Sequence, residues 1–353
     1  MKLSNTDANF WSEIGGCDKM LTKKQNFIET VRRGNPDRYV NQYEAVELMF
    51  ATPYAARNPR PVPGGEPVVN LWGVTSSFPA GMPGPFPIHT PDKIVIKDME
   101  NWRDYVKAPN VIFPAEEWAP FIEMVNKVDR NEKMIAPFVA PGLFEQCHYL
   151  LEIQNCLMAF YEYPDEMHEL IDYITEWEIT YAKEICKYLK PDALFHHDDW
   201  GSGASSFLSP EMFEEFFVPG YKRIYDTYRE GGVQIIIHHS DSYAANLVPS
   251  MIKMGIDVWQ GVMTSNNIPE LIEKYGDHIT FMGGIDSATV DHVNWSREQI
   301  ASEVERAARE YGRKAFIPCN TMGDPGCLYE GVNVTLTDEI EKLNQKIMAE
   351  GGF

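Results

Sequence analysis

The sequence predicts a single (β/α)8 barrel of the TIM type over residues 36–353, preceded by a helical extension over 1–35. Three observations carry that expectation. Eight strand-like apolar runs alternate with helical stretches, the pattern of a parallel sheet built from β-α units. The 353 residues suit one such barrel with insertions. No shift in composition marks a further domain boundary within 36–353. A doubly wound sheet is the alternative, but no GxGxxG follows any strand and no Walker motif is present.

The extension ends in a helix over Leu21–Arg33. There Phe27, Ile28 and Val31 recur at helical spacing before Gly34-Asn35-Pro36 stops it. Arg38–Val46 reads as the first strand, with Asn41, Gln42 and Glu44 toward its C-terminal end, and Val68–Val74 as the second. Residues 75–95 are rich in proline and glycine. They read either as an ordered lid, pinned by Phe78, Met82, Phe86 and Ile88, or as a disordered linker. Met134–Val139 is the third strand. A helical region over Phe144–Leu189 follows, broken near Tyr163-Pro164.

Ala193–Trp200 is the fourth strand, and Ser209-Pro210-Glu211 opens a helix with serine at the cap and proline at the first position. The fifth strand lies in Gly232–Ser242. There Val233 and Ile235–Ile237 flank only Gln234, as in a strand buried on both faces, and the run breaks into His238, His239, Ser240 and Asp241. Strands six to eight are Val258–Met263, Ile279–Asp286 and Ala315–Met322. Helices fall over Ala244–Met254, Ile268–Tyr275, Arg297–Tyr311 and about Thr337–Ala349.

The totals exclude several functions. With 52 Asp+Glu against 31 Lys+Arg the net charge is −21, and no dense basic run exists to grip nucleic acid or an anionic membrane. No apolar run is long enough to cross a membrane, and the N-terminal residues lack the apolar core of a secretion signal. Six cysteines without CxxC spacing are then expected as free thiols in a reducing cytoplasm.

In a parallel α/β barrel, ligands bind at the C-terminal ends of the strands. Those ends collect Gln42 and Glu44, then His197, Asp198 and Asp199, then His239 and Asp241, and finally Cys319. Alternate residues of a strand share a face, so His239 and Asp241 point the same way, and Cys319 adds a thiolate from across the mouth. Histidine, carboxylate and cysteine all bind Zn2+, and three protein ligands with one open position make a catalytic zinc site. The same residues also fit a plainer account, in which the histidines and Cys319 pack in the core. Asp198 and Asp199 read as paired acid–base carboxylates, or one of them as a helix cap.

Three stretches carry a family resemblance. They are FEQCHYLLEIQNCLMAFYEYPDEMHELIDYITE from Phe144, HDDWGSGASSFLSPEMFEEFFVPGYKRI from His197, and IIHHSDS with the later GGID. Together they resemble the uroporphyrinogen decarboxylase superfamily from about Asn35 onward, whose fold is a (β/α)8 barrel. The decarboxylases of that superfamily carry an arginine-rich first-strand motif that holds substrate carboxylates. Here RYVNQYEA places Gln42 and Glu44 in that stretch, against a multiply carboxylated tetrapyrrole.

The second branch holds cobamide-dependent methyltransferases. Those acting on coenzyme M bind zinc through a His-x-Cys pair and a later cysteine. His239 matches the histidine, Cys319 the later cysteine, and Asp241 stands in place of the first cysteine. A carboxylate makes a metal harder and more Lewis-acidic, which suits an ether oxygen better than a thiol.

WGV at Trp72 and FPIHTPDKIVIKDMENWRDY from Phe86 look most like the enzymes that demethylate methoxylated aromatics. The resemblance thus implies an O-demethylase methyltransferase acting on a small methoxyaromatic, with a corrinoid carried by a partner protein. It implies metal ligands His239, Asp241 and Cys319, and acid–base groups among His197, Asp198 and Asp199. Substrate contacts are expected from Gln42, Glu44, Trp72, Phe78 and Trp200. A metal-free decarboxylase and a methylcobalamin:thiol methyltransferase are the alternatives.

Overall fold

The computed structural model describes residues 20–82, 84–320 and 329–351. Seven strands form one sheet: β1 (Val46–Met49), β5 (Met134–Val139), β6 (Ala193–His197), β7 (Ile235–His239), β8 (Val258–Val262), β9 (Thr280–Ile285) and β10 (Phe316–Asn320). They neighbour one another in that order, and every pair is parallel. Three short strands, β2 (Val68–Val69), β3 (Thr75–Ser77) and β4 (Phe86–Pro87), form a separate antiparallel sheet.

The helices between and around them are α1 (Lys23–Arg32), α2 (Pro53–Arg57), α3 (Ala115–Asn126), α4 (Leu143–Leu151), α5 (Ile153–Glu162), α6 (Pro164–Leu189) and α7 (Pro210–Phe216). The series continues with α8 (Val218–Glu230), α9 (Val248–Met254), α10 (Ile268–Tyr275), α11 (Ser287–Val290), α12 (Arg297–Tyr311) and α13 (Val332–Ala349).

The parallel sheet curls on itself in the manner of a TIM barrel. Side chains from all seven strands meet in one interior cluster: Val46, Met134 and Ala136, Ala193 and Phe195, Ile235 and Ile237, Val258, Met282, Ile317 and Cys319. Phe27 and Val31 of α1 join them, so the helical extension closes one end of the interior. Fully burying a side chain of the size of Phe27 is worth about 2–3 kcal/mol. The other face of each strand packs against helices in a larger cluster that includes Ile236, Trp259, Phe281 and Phe316. Period-two alternation therefore sorts each strand residue to the interior or to the helical layer.

Two expected strands differ. Val68–Val74 is not a barrel strand: Asn70 Oδ1 accepts from the backbone N–H of Trp72 and Val74, and Gly73 takes φ +82°. The chain turns back there into the small sheet. The first barrel ladder begins only at Val46. Gln42 adopts φ +51° within a turn closed by Glu44 N–H on Asn41 O at 3.0 Å, which ends the extended run. Ahead of that turn, Tyr39 N–H donates to Asn344 Oδ1 and Asn41 Nδ2 to Thr337 O, each at 2.9 Å. Tyr39–Gln42 is thus bonded to α13 rather than to a neighbouring strand.

The helical region after β5 has a second break that periodicity did not show. Glu152 takes φ +74°, and its carboxylate caps α5 by accepting from Gln154 N–H at 3.0 Å and Asn155 N–H at 3.1 Å. Over the described residues 75–82 and 84–95 the chain forms β3, β4 and turns, with Phe78 and Ile88 half-buried. Met82 and Phe86 are exposed, while Trp72, Val74 and Ile96 are buried. Among the described residues no helix is long and apolar enough to cross a membrane.

Candidate metal centre

β6 and β7 lie side by side in register, with His196 beside His238 and His197 beside His239. Alternation sends His197 and His239 toward the interior mouth and His196 and His238 outward. The inward rings stack with centroids 4.4 Å apart and planes 21° from parallel. Asp199, two residues past His197, brings Oδ1 to 4.0 Å from His239 Nε2. One donor atom from each of His197, Asp199 and His239 lies within 4.8 Å of the other two.

Neighbours fix the orientation of each member. His239 Nδ1 is hydrogen-bonded to Gln260 Oε1 of β8, which turns Nε2 toward Asp199. A β-bulge falls at Gln260/Val262, and Gly261 within it makes room for the His239 ring. A Cβ at Gly261, where φ is +88°, would stand 3.0 Å from His239 Cε1. His197 Nδ1 lies 3.0 Å from Glu145 Oε2 of α4, and Tyr149 O–H donates to Glu145 Oε1 at 3.1 Å. Asp241 N–H donates to Asp199 Oδ1 at 2.9 Å.

The electrostatics match a cation site. Burial works against charge on His197, but the carboxylates of Glu145, Asp199 and Asp241 override it and raise its pKa to about 10. Burial and then the neighbouring His197 hold His239 down to about 4. Burial and the adjacent Asp199 push Asp241 up to about 7. The cluster thus gathers three carboxylates around two imidazoles and retains protons to balance them. A divalent cation bound by His197, Asp199 and His239 would displace such protons. Two imidazoles, one carboxylate and an open fourth position are a donor set that zinc accepts in catalytic sites, so these residues fit the metal. Glu145 and Gln260 would then be the outer partners that hold the two imidazoles in place.

Several candidates read from the sequence lie elsewhere. Asp198 is fully buried and faces away from the mouth. Its carboxylate accepts from Phe144 N–H at 2.9 Å, Glu145 N–H at 2.7 Å and Trp200 Nε1 at 3.0 Å, and also from Tyr221 O–H. It caps α4 and thereby sets the height of Glu145. Burial and the nearby Glu145 push its pKa well up, against the pull of those donors. Trp200 is buried with it, stacked on His238 with centroids 4.0 Å apart.

Cys319 is buried on β10 beside Tyr43 and Gln260, and burial pushes its thiol up to about 12. It is not in the donor cluster, and neither is Asp241, which adjoins the cluster through Asp199. Gln42 Nε2 donates to Thr337 Oγ1 at 3.0 Å and Asn333 Oδ1 at 3.2 Å, and Glu44 lies 3.9 Å from Lys23 Nζ. Both precede β1, because the strand starts later than expected. Trp72 is buried in a box of aromatic rings, and Phe78 is half-buried at the small sheet. Thr321–Cys327, the tail beyond Asn320, lies outside the described residues.

Glu145 and Gln260 were missed in the sequence. Each left a signal: an acid in the first turn of a largely buried helix, and an amide at an inward position of a buried strand.

Fold and mouth together define a parallel α/β barrel with a candidate metal centre at its strand ends. Residues 87–320 match the family model described as Uroporphyrinogen decarboxylase (URO-D), about two thirds of the chain, and the protein belongs to that family. A uroporphyrinogen decarboxylase from Carboxydothermus hydrogenoformans is 28% identical over 162 residues, a match that spans 43% of this chain and 44% of that relative. A solved methyltransferase from Methanosarcina mazei superposes with a TM-score of 0.64 at 15% identity, covering 92% of this chain and 99% of that one. At that identity the likeness speaks for the fold.

Proposed function

We propose that this protein is a corrinoid-dependent methyltransferase that removes the methyl group of a methoxylated aromatic compound, with a zinc ion at the barrel mouth. The observation that carries the reading is the convergence of His197, Asp199 and His239 on one point at the ends of β6 and β7. A mouth whose charge is set by carboxylates and imidazoles suits a neutral ether better than a multiply carboxylated tetrapyrrole.

In the reaction the O–CH3 bond breaks, and Co(I) of a corrinoid borne by a partner protein would supply the acceptor for the methyl group. The electron pair of the broken bond stays on oxygen, which then takes a proton. His197, Asp199 and His239 would hold the zinc, which would supply a Lewis acid for that oxygen. Asp241, whose N–H donates to Asp199 Oδ1 at 2.9 Å, is the carboxyl that handles that proton. Glu145 and Gln260 keep the two imidazoles aimed. Two imidazoles and a carboxylate are harder donors than thiolates, and Cys319 stands apart, so the set favours an oxygen leaving group over thiol activation.

The test is direct. Protein purified without chelator is expected to hold one zinc per chain and to form methylcobalamin from cob(I)alamin with at least one of a panel of methoxyarenes. Cys319→Ser should leave the zinc in place, whereas His239→Ala should remove it. Absence of zinc from active wild-type protein would end the metal reading.

One observation favours a second reading, a decarboxylase without metal. Asp199 and Asp241 form a carboxylate pair, and Asp241 is half-protonated near neutrality, a ready proton donor. Full activity after exhaustive chelation, with loss on Asp241→Asn, would favour that reading.

A further inference from the structure

The mouth has a polar side and an aromatic side. Sheet order places β1, β5, β6 and β7 next to one another, and the inward positions at the ends of β6 and β7 are His197 and His239. At the ends of β1 and β5 the inward positions are both phenylalanine. Val46 and Leu48 turn to the barrel interior and Met49 to the helices, so Phe50 falls on the interior side just past β1. On β5, Met134 and Ala136 set the same side, and Phe138 follows them. The register that pairs Leu48 with Ala136 brings Phe50 beside Phe138, with ring centroids 4.8 Å apart.

These two rings are not sealed as core rings are. Phe195, the neighbouring inward ring on β6, is 1% exposed, whereas Phe138 is half-buried and Phe50 is 44% exposed. Phe138 also lies 6.0 Å from the His197 ring between centroids, and His197 stacks on His239. Rings thus run without a break from Phe50 to the donor cluster. Aromatic pairs settle at about 4.5–7 Å between centroids. A substrate ring held at that distance from Phe138 is as near to it as His197 is, which brings an oxygen on the ring's edge within reach of His197, Asp199 and His239.

We infer that Phe50 and Phe138 form the wall that receives the aromatic ring of the substrate, and that they set the preference for a flat ring over a saturated group of the same size. The inference rests on the reading of the mouth as a methyl-transfer site. A cyclohexyl ring buries a similar apolar area but has no π face, so the stacking part of the affinity separates the two.

Binding of anisole, guaiacol and their cyclohexyl counterparts to the full chain is titrated by calorimetry, without cobalamin. Each arene is expected to bind about 2–10-fold more tightly than its saturated counterpart. Phe138→Leu, which keeps an apolar side chain, and Phe50→Ala, at an exposed position where folding is little affected, are each expected to bring that ratio toward one. In turnover the same variants should raise KM for the arene about 10-fold with kcat little changed, the sign of lost binding rather than lost chemistry. Equal affinity for flat and saturated rings in the wild type, no binding of either arene, or a ratio unchanged in both variants would overturn the inference. The methyl-transfer reading fails separately: no methylcobalamin from any methoxyarene, with the arene preference present and lost in the variants, ends that reading and leaves the ring wall standing.

Discussion

The two histidine doublets invite comparison, because the same residue type serves opposite ends within each. His197 and His239 face the mouth, with Asp199 and Glu145 around them. His196 and His238 face the helices and are sealed at 0% exposure. There His238 Nε2–H donates to the Asp198 carbonyl at 3.2 Å, and the Tyr225 hydroxyl lies 2.8 Å from His238 Nδ1 and 3.0 Å from His196 Nδ1. Burial and the neighbouring His196 keep His238 neutral. The inward pair lies among carboxylates at the mouth, whereas the outward pair ties strands to α8. A one-residue shift on a strand changes the task, because alternation reverses the face.

The largest expected effect breaks the inward pair. His197→Ala and His239→Ala should lower zinc affinity and activity by at least about 100-fold, since even an outer-partner change costs 10–100-fold. Urea unfolding of the chelated proteins should show little change beside that loss. Metal analysis after gel filtration, with the unfolding curve, checks both.

The outward pair should respond in the opposite sense. His238→Ala opens a void, removes the donor to the Asp198 carbonyl and leaves the Tyr225 hydroxyl with His196 alone. A loss of about 2–4 kcal/mol is expected in urea unfolding, with zinc stoichiometry retained in the folded fraction. Lost zinc at unchanged stability would reverse the assignment of the two pairs.

Glu145 sharpens the comparison, since it reaches the inward pair from a helix. Glu145→Ala should weaken zinc binding about 10–100-fold, and Glu145→Gln, which keeps an acceptor for His197, should restore most of it. Titration against a competing chelator reads the difference.

The effect smallest at neutral pH concerns His148, on α4 but in neither doublet. Burial, with repulsion from His89, lowers its pKa to about 4. The unfolded value is about 6.5, so the unfolded chain binds the proton more readily below that pH. Its contribution to stability is complete above about pH 6.5 and declines by up to ~1.4 kcal/mol per pH unit as the pH falls toward 4. His148→Gln should flatten that part of the stability–pH curve; equal slopes for both proteins would remove His148 from the account.

Much of this protein was legible in its residues. Six of the eight expected strands, from Met134–Val139 onward, lie in the parallel sheet, because long β-branched runs bounded by polar breaks resist other readings. Of the donor cluster, His239 was expected as a metal ligand and His197 and Asp199 as acid–base groups, because inward polar residues at strand ends stand out against apolar runs.

The linear chain did not separate Asp198 from Asp199. Both follow the same strand; one caps α4 and the other reaches the mouth, a choice made by where the first turn of that helix sits. Nor did spacing alone separate Cys319, inward but beside Tyr43, from a metal ligand. Period-two alternation and composition are local properties, and they fixed the barrel class and the mouth. Which donors share a point within 4.8 Å depends on strand register, one bulge and a helix cap. Those are contacts between residues far apart in the chain, and only the packed structure decides them.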